Sequence, residues 1–460
     1  MARERNEQLA ALLQEAGWSR AQAASAFNRI AQENNLLDYA HIGRSHVSMW
    51  VAGTKPSGVA PVILSQALSR RLRRAVTPEE LGFAVPHAPA EEALEWHTDP
   101  LTTLTDLGRT DVDADRRSLL SGAVYSVAAL ALPGHAWWET MAGQPSVPAK
   151  PQRVGRGDVV AVQELTAAFS RIDQRRGGGH GRKALVQYLQ SDVAAFLQGT
   201  FPNEQVRRDM FSAAAELAYL SGWMGFDNGE HALAQRYLIL ALKLTARAGN
   251  PPLAGHILRA MAHQAIDLGF FPQGLELSTA SMQGQRYASA TPRERALLGV
   301  VHARALAANG DKQSASKALL KAEDDLASAS EGIEEPQRTF FFGEASLAHE
   351  TACTLRDCGD HRGAIRQFRR SVRTRGEAFR RTHVVTLGYL GATQIANGGV
   401  EEACATWSTA LDVLEEGISS GRGRQAALDM RTLLSPYRRR KIPAITELDA
   451  RAAAYLARVH

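Results

Sequence analysis

The chain has 460 residues, which is too long for one compact core, so two or more folding units are expected. Its hydrophobic content of 45% is ordinary for a globular protein, and its aromatic content of 7% favours packed helices over a β-sandwich. The net charge of +5 permits a nucleic-acid partner without requiring one, and three cysteines indicate a reducing compartment without a disulfide framework.

Residues 1–85 predict a small helical domain. A first helix covers about residues 6–16 and ends at Gly17. A second helix starts at Ser19, with Gln22 in capping-box register, and breaks at the asparagines at 34 and 35. A short third helix covers about residues 44–51 and stops at Gly53, and a fourth, amphipathic helix covers about residues 61–73.

The short third helix has the composition of a helix that enters a groove of DNA. Val47 and Trp50 lie three positions apart and are expected to face inward together. The remaining side chains offer polar and cationic groups to base edges and phosphates. The candidate DNA contacts are Arg20, Arg44, Ser45, His46, Ser48, Met49, Lys55, Arg70 and Arg71. The alternative is a plain surface hairpin of helices, with the arginines favoured only by a helix dipole.

This stretch resembles a known class of DNA-binding proteins. Val47, Ser48, Trp50, Gly53 and Pro56 are similar to the recognition-helix end of Xre-type helix-turn-helix regulators. About ten residues separate the two helices, whereas the usual motif joins them with about three or four. The resemblance implies that residues 1–85 bind DNA.

Residues 86–157 predict a linker with one apolar helix. Pro86, Pro89 and Pro100 punctuate residues 86–110, and residues 133–157 are rich in proline and glycine. The apolar run at residues 119–132 predicts a buried helix, since it is shorter than the roughly 20 residues that cross a bilayer. The N-terminus lacks the apolar core of a signal peptide, so we expect a cytoplasmic protein without a membrane partner.

Residues 158–460 predict a helical solenoid with capping helices from about residue 421. Short glycine turns recur at Gly229, Gly269, Gly310, Gly359 and Gly398, which are 40, 41, 49 and 39 residues apart. Small residues recur seven positions before, five after and twelve after each glycine. Small residues at these places let paired helices approach closely. The pattern resembles the tetratricopeptide repeat (TPR), whose nominal length is about 34 residues.

The inner face of such a solenoid is the expected ligand site. Each pair presents its first helix to the concave side. The candidate ligand or partner contacts are Glu216, Tyr219, Trp223, His256, Arg259, His263, Arg304, His349 and Arg356. Aromatic and cationic side chains suit an extended peptide or an acidic small molecule. The alternative is an inner wall whose side chains satisfy one another.

Three further patterns have plainer explanations. The glycine run at 177–179 lacks the Gly-Lys-Ser/Thr ending of a phosphate loop, which favours a turn between helices. His349, Cys353, Cys358 and His361 could ligate zinc, but buried cysteines commonly fill cores, so we expect no metal or other cofactor. There is no nucleophile elbow or HExxH motif, so we expect no enzyme activity.

The whole layout resembles the Xre-type helix-turn-helix plus TPR regulators of filamentous actinobacteria, including NsdA-like negative regulators of differentiation. It is also similar to peptide-sensing regulators of Gram-positive bacteria. The resemblance implies an all-α, cytoplasmic, homodimeric transcription regulator that binds double-stranded DNA, represses genes of differentiation or secondary metabolism, and senses a ligand with its solenoid. The alternative from another class is an interaction scaffold that sequesters a partner protein without reading DNA.

Overall fold

The computed structural model describes most of the chain as packed helices. The described residues are 5–33, 36–72, 76, 78–83, 94–112, 125–144, 152–329, 332–440 and 442–458. Within these ranges no strand forms, and the one β-type contact is an isolated parallel bridge between Arg153 and Thr200. The predicted all-α class is confirmed.

The N-terminal domain has its own apolar core, separate from the core of the later helices. Its helices are α1 (Glu7–Glu15), α2 (Arg20–Glu33), α3 (Arg44–Val51) and α4 (Ala60–Leu72), with a 3₁₀ turn at Leu37–Tyr39. The predicted capping box is present: Ser19 N donates to Gln22 Oε1 at 2.9 Å, and Gln22 N donates to Ser19 Oγ at 3.3 Å. The side chain of Asn28 bonds both backbone groups of Ile42, at 2.9 and 3.0 Å, and so fixes the long connection before α3.

The region expected to be a linker is instead structured where it is described. Helix α5 (Pro100–Val112) and helix α6 (His135–Gly143) lie where loops were predicted. Residues 125–132 of the predicted apolar helix contain only a 3₁₀ turn, at Ala128–Leu130. The rest of that predicted helix, up to residue 124, lies outside the described residues.

Polar contacts bind this region to the helix at Arg182–Tyr188 and to the first hairpin of the solenoid, residues 204–248. Asp111 of α5 accepts bonds from Arg182 at 3.2 and 2.7 Å and from the Tyr237 hydroxyl at 2.9 Å. The Gln235 side chain accepts from Ser126 N at 2.8 Å and donates to Ser126 O at 2.6 Å. Because these contacts satisfy buried polar groups, residues 94–144 belong to the folded body and do not link two free parts.

Residues 152–458 form the solenoid. Helices α7 (Arg156–Arg176), α8 (Arg182–Tyr188) and α9 (Ala194–Leu197) come first, with a π-helical turn at Leu189–Val193. The hairpins pair α10 (Glu204–Asp227) with α11 (His231–Ala248) and α12 (Pro251–Asp267) with α13 (Phe271–Ser281). After the short α14 (Gln285–Ala288), they pair α15 (Pro292–Ala308) with α16 (Lys312–Ala327), α17 (Glu344–Asp357) with α18 (His361–Thr374), and α19 (Arg380–Ala396) with α20 (Val400–Glu415). The predicted capping helices are α21 (Gly421–Leu434) and α22 (Pro443–Arg458).

The five hairpins coincide with the five predicted repeats. Each glycine turn joins the two helices of one hairpin and has a positive φ: Gly229 (80°), Gly269 (83°), Gly310 (88°), Gly359 (88°) and Gly398 (87°). The small residues at the matched offsets are all buried. An added Cβ at Gly391, for example, would lie 2.2 Å from Nε1 of Trp407 in the facing helix. The close approach of paired helices, which the repeat pattern predicted, is therefore confirmed.

The two ends of the superhelix meet at a seam, formed by residues 173–179, 381–382 and 419–421. Ser419 N donates to Arg176 O at 2.7 Å, and Gly179 N donates to Ser419 O at 3.0 Å. Arg381 of α19 ion-pairs with Asp173 at 3.1 Å and with Asp227 at 3.2 Å, and all three side chains are buried. The first helix of the solenoid thus contacts its fifth hairpin, which closes the superhelix.

The seam also explains the glycine run between α7 and α8. A Cβ at Gly177 would lie 2.2 Å from Ser419 O, one at Gly178 would lie 2.5 Å from Met224 O, and one at Gly179 would lie 2.2 Å from Ser419 Oγ. Side chains larger than hydrogen cannot fit there. The run is therefore the turn between helices that was predicted, and its composition follows from tight packing.

Candidate functional site

The α3 surface is the first candidate. Val47 and Trp50 are buried, with Trp50 5.5 Å from the Phe27 ring, as their spacing predicted. The opposite side of α3 presents Arg44, Ser45, His46 and Met49 as exposed residues and Ser48 as a half-buried one. The helix contains no acidic residue. Its outer face is therefore polar and cationic on a rigidly packed support.

Two neighbouring cations extend this surface. Arg20, at the start of α2, donates from Nη1 to Ser48 Oγ at 3.2 Å, so it lies beside the outer face of α3. Lys55 is exposed just after α3. His46 accepts the Gly43 N–H with Nδ1 at 3.1 Å, and this bond caps α3. We define the α3 surface as Arg20, Arg44, Ser45, His46, Ser48, Met49 and Lys55.

Arg70 and Arg71, the other two predicted DNA contacts, contact other parts of the protein, with Arg70 half-buried and Arg71 exposed. Arg71 Nε donates to Ala16 O at 2.8 Å and so satisfies a carbonyl at the end of α1. The Arg70 guanidinium lies over the ring of Phe270, 5.7 Å from its centroid, and so contacts the solenoid. We leave both arginines out of the α3 surface for this reason.

The inner wall is the second candidate, defined as the axial faces of α10, α12, α15, α17 and α19. None of its nine predicted ligand residues is exposed. Six are buried, namely Tyr219, His256, Arg259, His263, Arg304 and His349, and three are half-buried, namely Glu216, Trp223 and Arg356. The structure brings them together around one axis, but in a closed interior and not along an open groove.

These side chains mostly satisfy one another, as the alternative reading of the inner wall proposed. Arg259 donates to the Tyr219 hydroxyl at 2.8 Å and lies 5.4 Å from the Trp223 ring centroid. Arg304 pairs with Asp267 at 2.6 Å and reaches His263 Nε2 at 3.3 Å. Burial lowers the pKa of His263, so this histidine is neutral near pH 7.

His256 and His349 are likewise enclosed among other side chains. His256 lies 3.2 Å from Arg259, and burial lowers its pKa well below the usual range. His349 Nδ1 lies 2.9 Å from the Thr386 hydroxyl, and its Nε2 lies 3.8 Å from the Cys353 sulfur. Within the described residues, no group of three or more His, Cys, Asp or Glu side chains is arranged to hold a metal ion.

A segment that sequence reasoning missed fills part of the concave side. The loop before α17 carries Arg338, whose Nε lies 2.7 Å from Glu294 and whose Nη1 lies 2.8 Å from Glu216. Glu216 is 122 positions away in the chain. The only sequence signal was the spacing of 49 residues between Gly310 and Gly359, since this longer repeat contains the loop.

Cavities of opposite charge open at the two ends of the axis. One, of about 580 Å³, is lined by Tyr219, Trp223 and Phe341 and by carboxylates that include Asp209, Glu216, Glu334 and Glu335. The other, of about 690 Å³, is lined by Arg70, Arg304, Arg356 and Arg422, and we call it the arginine cavity. A constriction that includes Trp223, Arg259, His263 and Arg381 lies between them, with about 50 Å³ of free space.

Comparisons with known proteins describe parts of this architecture. A family model described as the SP15 N-terminal domain matches residues 9–84, which is the N-terminal domain and less than half of the chain. Among solved structures, nearly identical TPR-like repeats of a kinesin light chain from Podospora anserina match with 18% identity and a TM-score of 0.34, covering 46% of this chain and 98% of that one.

A monomeric mutant of IFIT1 with m7Gppp-AAAA matches with 13% identity and a TM-score of 0.35, covering 95% of this chain and 94% of that one. No curated protein matches the sequence. None of these matches names an Xre-type or NsdA-like regulator. Across the described residues, no helix is both long and apolar enough to span a bilayer.

Proposed function

We propose that this protein is a cytoplasmic, non-enzymatic transcription regulator that binds double-stranded DNA through the α3 surface. The observation that carries the proposal is the two-sided character of α3. Val47 and Trp50 fix the helix in the core, while its other side offers Arg44, Ser45 and Ser48 to solvent. Arginine can bond guanine or phosphate, and serine can bond either base edges or phosphate.

The solenoid has the role of joining two such domains. An eight-residue helix reads few base pairs, and pairing about a two-fold axis doubles the contacts on a palindromic site. We therefore include a homodimer in the proposal, with its interface on the solenoid. The resemblance to Xre-type and NsdA-like regulators adds repression of differentiation or secondary-metabolism genes as the biological role.

The test is a gel-shift titration of the full-length protein on DNA from upstream of its own gene. The double substitution Arg44→Ala with Ser45→Ala should weaken specific binding by about 1–3 kcal/mol for each base contact that it removes. Arg366→Ala is the matched control, since Arg366 is an exposed arginine on α18 of the solenoid. If the double variant and the control bind the DNA equally well, α3 is not the helix that reads the DNA.

The second candidate function is an interaction scaffold that sequesters a partner protein. The stacked helical hairpins favour it, because solenoids of this kind commonly present extended binding surfaces. Closure of the superhelix leaves the outer surface and the two axial ends for such a partner. If the protein shifts no DNA at low salt, where phosphate contacts are strongest, the scaffold function replaces the regulator.

A further inference from the structure

The arginine cavity is lined by residues of all five hairpins and by Arg70 of the N-terminal domain. Its lining includes Phe226 of the first hairpin, Asp267 of the second, Arg304 of the third, Arg356 of the fourth and Tyr389 of the fifth. The capping helix α21 contributes a further arginine, and α4 of the N-terminal domain contributes another. A molecule bound there would contact residues of several hairpins.

The charges of the cavity favour an anion. Asp267 accepts from Arg304 at 2.6 Å and lies 3.7 Å from Arg422, while Asp357 lies 2.8 Å from Arg356. The two aspartates are thus the lining carboxylates beside three guanidinium groups of the solenoid. Glu350, outside the lining, lies 3.9 Å from Arg304. Burial would raise the pKa of Asp267, but Arg304 and Arg422 outweigh it and hold that pKa well below the usual range.

Two other titratable groups of the lining leave the positive balance intact. Burial lowers the pKa of His231 to about 4, so its ring is neutral near pH 7. Burial raises the pKa of Asp429, which accepts from Gln425 Nε2 at 2.9 Å and is the third carboxylate of a lining that has four arginines. With Arg70 at the rim, the cavity carries more positive than negative charge.

The same cavity has an apolar component that positions its cations. The Arg422 guanidinium lies over the Phe226 ring at 5.2 Å, and the Arg356 guanidinium lies over the Tyr389 ring at 5.2 Å. Stacking holds a guanidinium flat and lowers the entropy lost when it binds a ligand. The rings also provide a surface for the body of an organic molecule.

We propose that the arginine cavity binds a small organic anion, a molecule with a carboxylate or phosphate group on an aromatic body. The guanidinium groups of Arg356 and Arg422 bind the anionic group, and Phe226 and Tyr389 contact the body. Because Arg70 belongs to α4, the bound anion also restrains the N-terminal domain. This inference goes beyond the proposed function and holds whether or not the N-terminal domain binds DNA.

The test is isothermal titration of the full-length protein with phenyl phosphate, phenylacetate and phenethylamine. We expect the two anions to bind and the amine not to bind. Arg356→Gln and Arg422→Gln should each weaken anion binding at least tenfold, whereas Arg366→Gln, on the exposed side of α18, should leave it unchanged. The stronger of the two anions identifies phosphate or carboxylate as the preferred group.

Three outcomes overturn the proposal: no anion binds at millimolar concentration, the amine binds as well as the anions, or the glutamine variants bind like the wild type. Arg422 is largely buried and its loss could unfold the chain, so circular dichroism accompanies each titration. Arg356 keeps 27% of its side chain exposed, and its variant then decides the question.

Restraint of the N-terminal domain has a separate readout. Hydrogen exchange in α4 should slow on addition of phenyl phosphate to the wild type but not to Arg70→Gln. If the anion binds and exchange in α4 does not change, the arginine cavity is a ligand site without a link to the N-terminal domain, and that part of the proposal falls.

Discussion

Closure of the superhelix should depend on Gly177. This residue lies in the seam with φ +95° and ψ 163°, a region of backbone space that is nearly exclusive to glycine. Its added Cβ would also meet the carbonyl oxygen of Ser419 at 2.2 Å. The substitution Gly177→Ala therefore combines backbone strain with a clash against backbone of the opposite end of the solenoid.

The magnitude follows from these two contributions. The unfavourable φ and ψ cost about 1–3 kcal/mol. Overpacking against a backbone atom costs about 1–3 kcal/mol more. Gly177→Ala should therefore lower the free energy of unfolding by roughly 2–6 kcal/mol. Gly178 does not have a positive φ, and its added Cβ would lie 2.5 Å from Met224 O. The substitution Gly178→Ala therefore measures the packing contribution without the backbone strain.

Gly157→Ala is the matched control. Gly157 lies near the start of α7, and its added Cβ meets nothing within 4 Å. Alanine in a helix is more favourable than glycine, so this variant should be more stable by about 0.5–1 kcal/mol. Urea titration followed by circular dichroism gives the three free energies, and X-ray scattering gives the radius of gyration. Equal stability and equal size of the variants at 177 and 157 would refute the closed seam.

Two further predictions concern titration and thiol chemistry. Burial lowers the pKa of His231 to about 4 in the folded protein, whereas in the unfolded chain it is about 6.5. As the pH falls, the unfolded chain therefore binds a proton at His231 before the folded protein does. The folded state loses stability between pH 6.5 and 4, by roughly 3 kcal/mol at most. In His231→Gln, the urea midpoint should fall less between pH 7 and pH 5 than it does in the wild type. Burial raises the pKa of Asp173 to about 6, which favours the folded state at low pH in both proteins. The same fall of the midpoint in both proteins would contradict the low pKa of His231. Burial raises the pKa of Cys353 to about 12, so this cysteine should resist a thiol reagent in the native protein while the half-buried Cys358 reacts. Mass spectrometry of the labelled peptides measures both, and faster labelling of Cys353 would contradict the prediction.

The repeats and the faces of α3 were predictable because their signals are local. A glycine turn needs a positive φ, and paired helices need small residues at fixed distances from it. The spacing of the repeats is therefore visible in the sequence. The inward direction of Val47 and Trp50 likewise follows from helical spacing alone. Each of these features depends on residues fewer than about one helix length apart.

The region predicted as a linker contains a local signal for the start of a helix. Proline predicts a break in the chain, but Pro100 is the first residue of α5, where a backbone N–H would have no helical partner. The Asp99 carboxylate accepts from Leu101 N and Thr102 N, both at 3.0 Å, and caps the helix. Read together, Asp99 and Pro100 are a helix start.

Other features depend on partners that no local pattern reveals. The apolar residues near 126 predicted a helix, yet Ser126 lies outside any helix and the side chain of Gln235 satisfies its backbone groups. Arg338 reaches Glu216 across the solenoid. The seam joins Arg381 to Asp173, more than half of the solenoid away in sequence. Such contacts exist only after the helices are arranged.

Closure changes how a ligand could act on the N-terminal domain. In an open solenoid, each repeat touches only its neighbours, so a ligand can alter the pitch at small cost. Here a change of pitch would separate Arg381 from Asp173 and Asp227 and would break the two backbone hydrogen bonds between residues 176–179 and Ser419. A tenfold allosteric effect needs only about 1.4 kcal/mol. The contact of Arg70 with the arginine cavity needs no such opening, so regulation is expected to pass through the junction of α4 with the solenoid and not through its pitch.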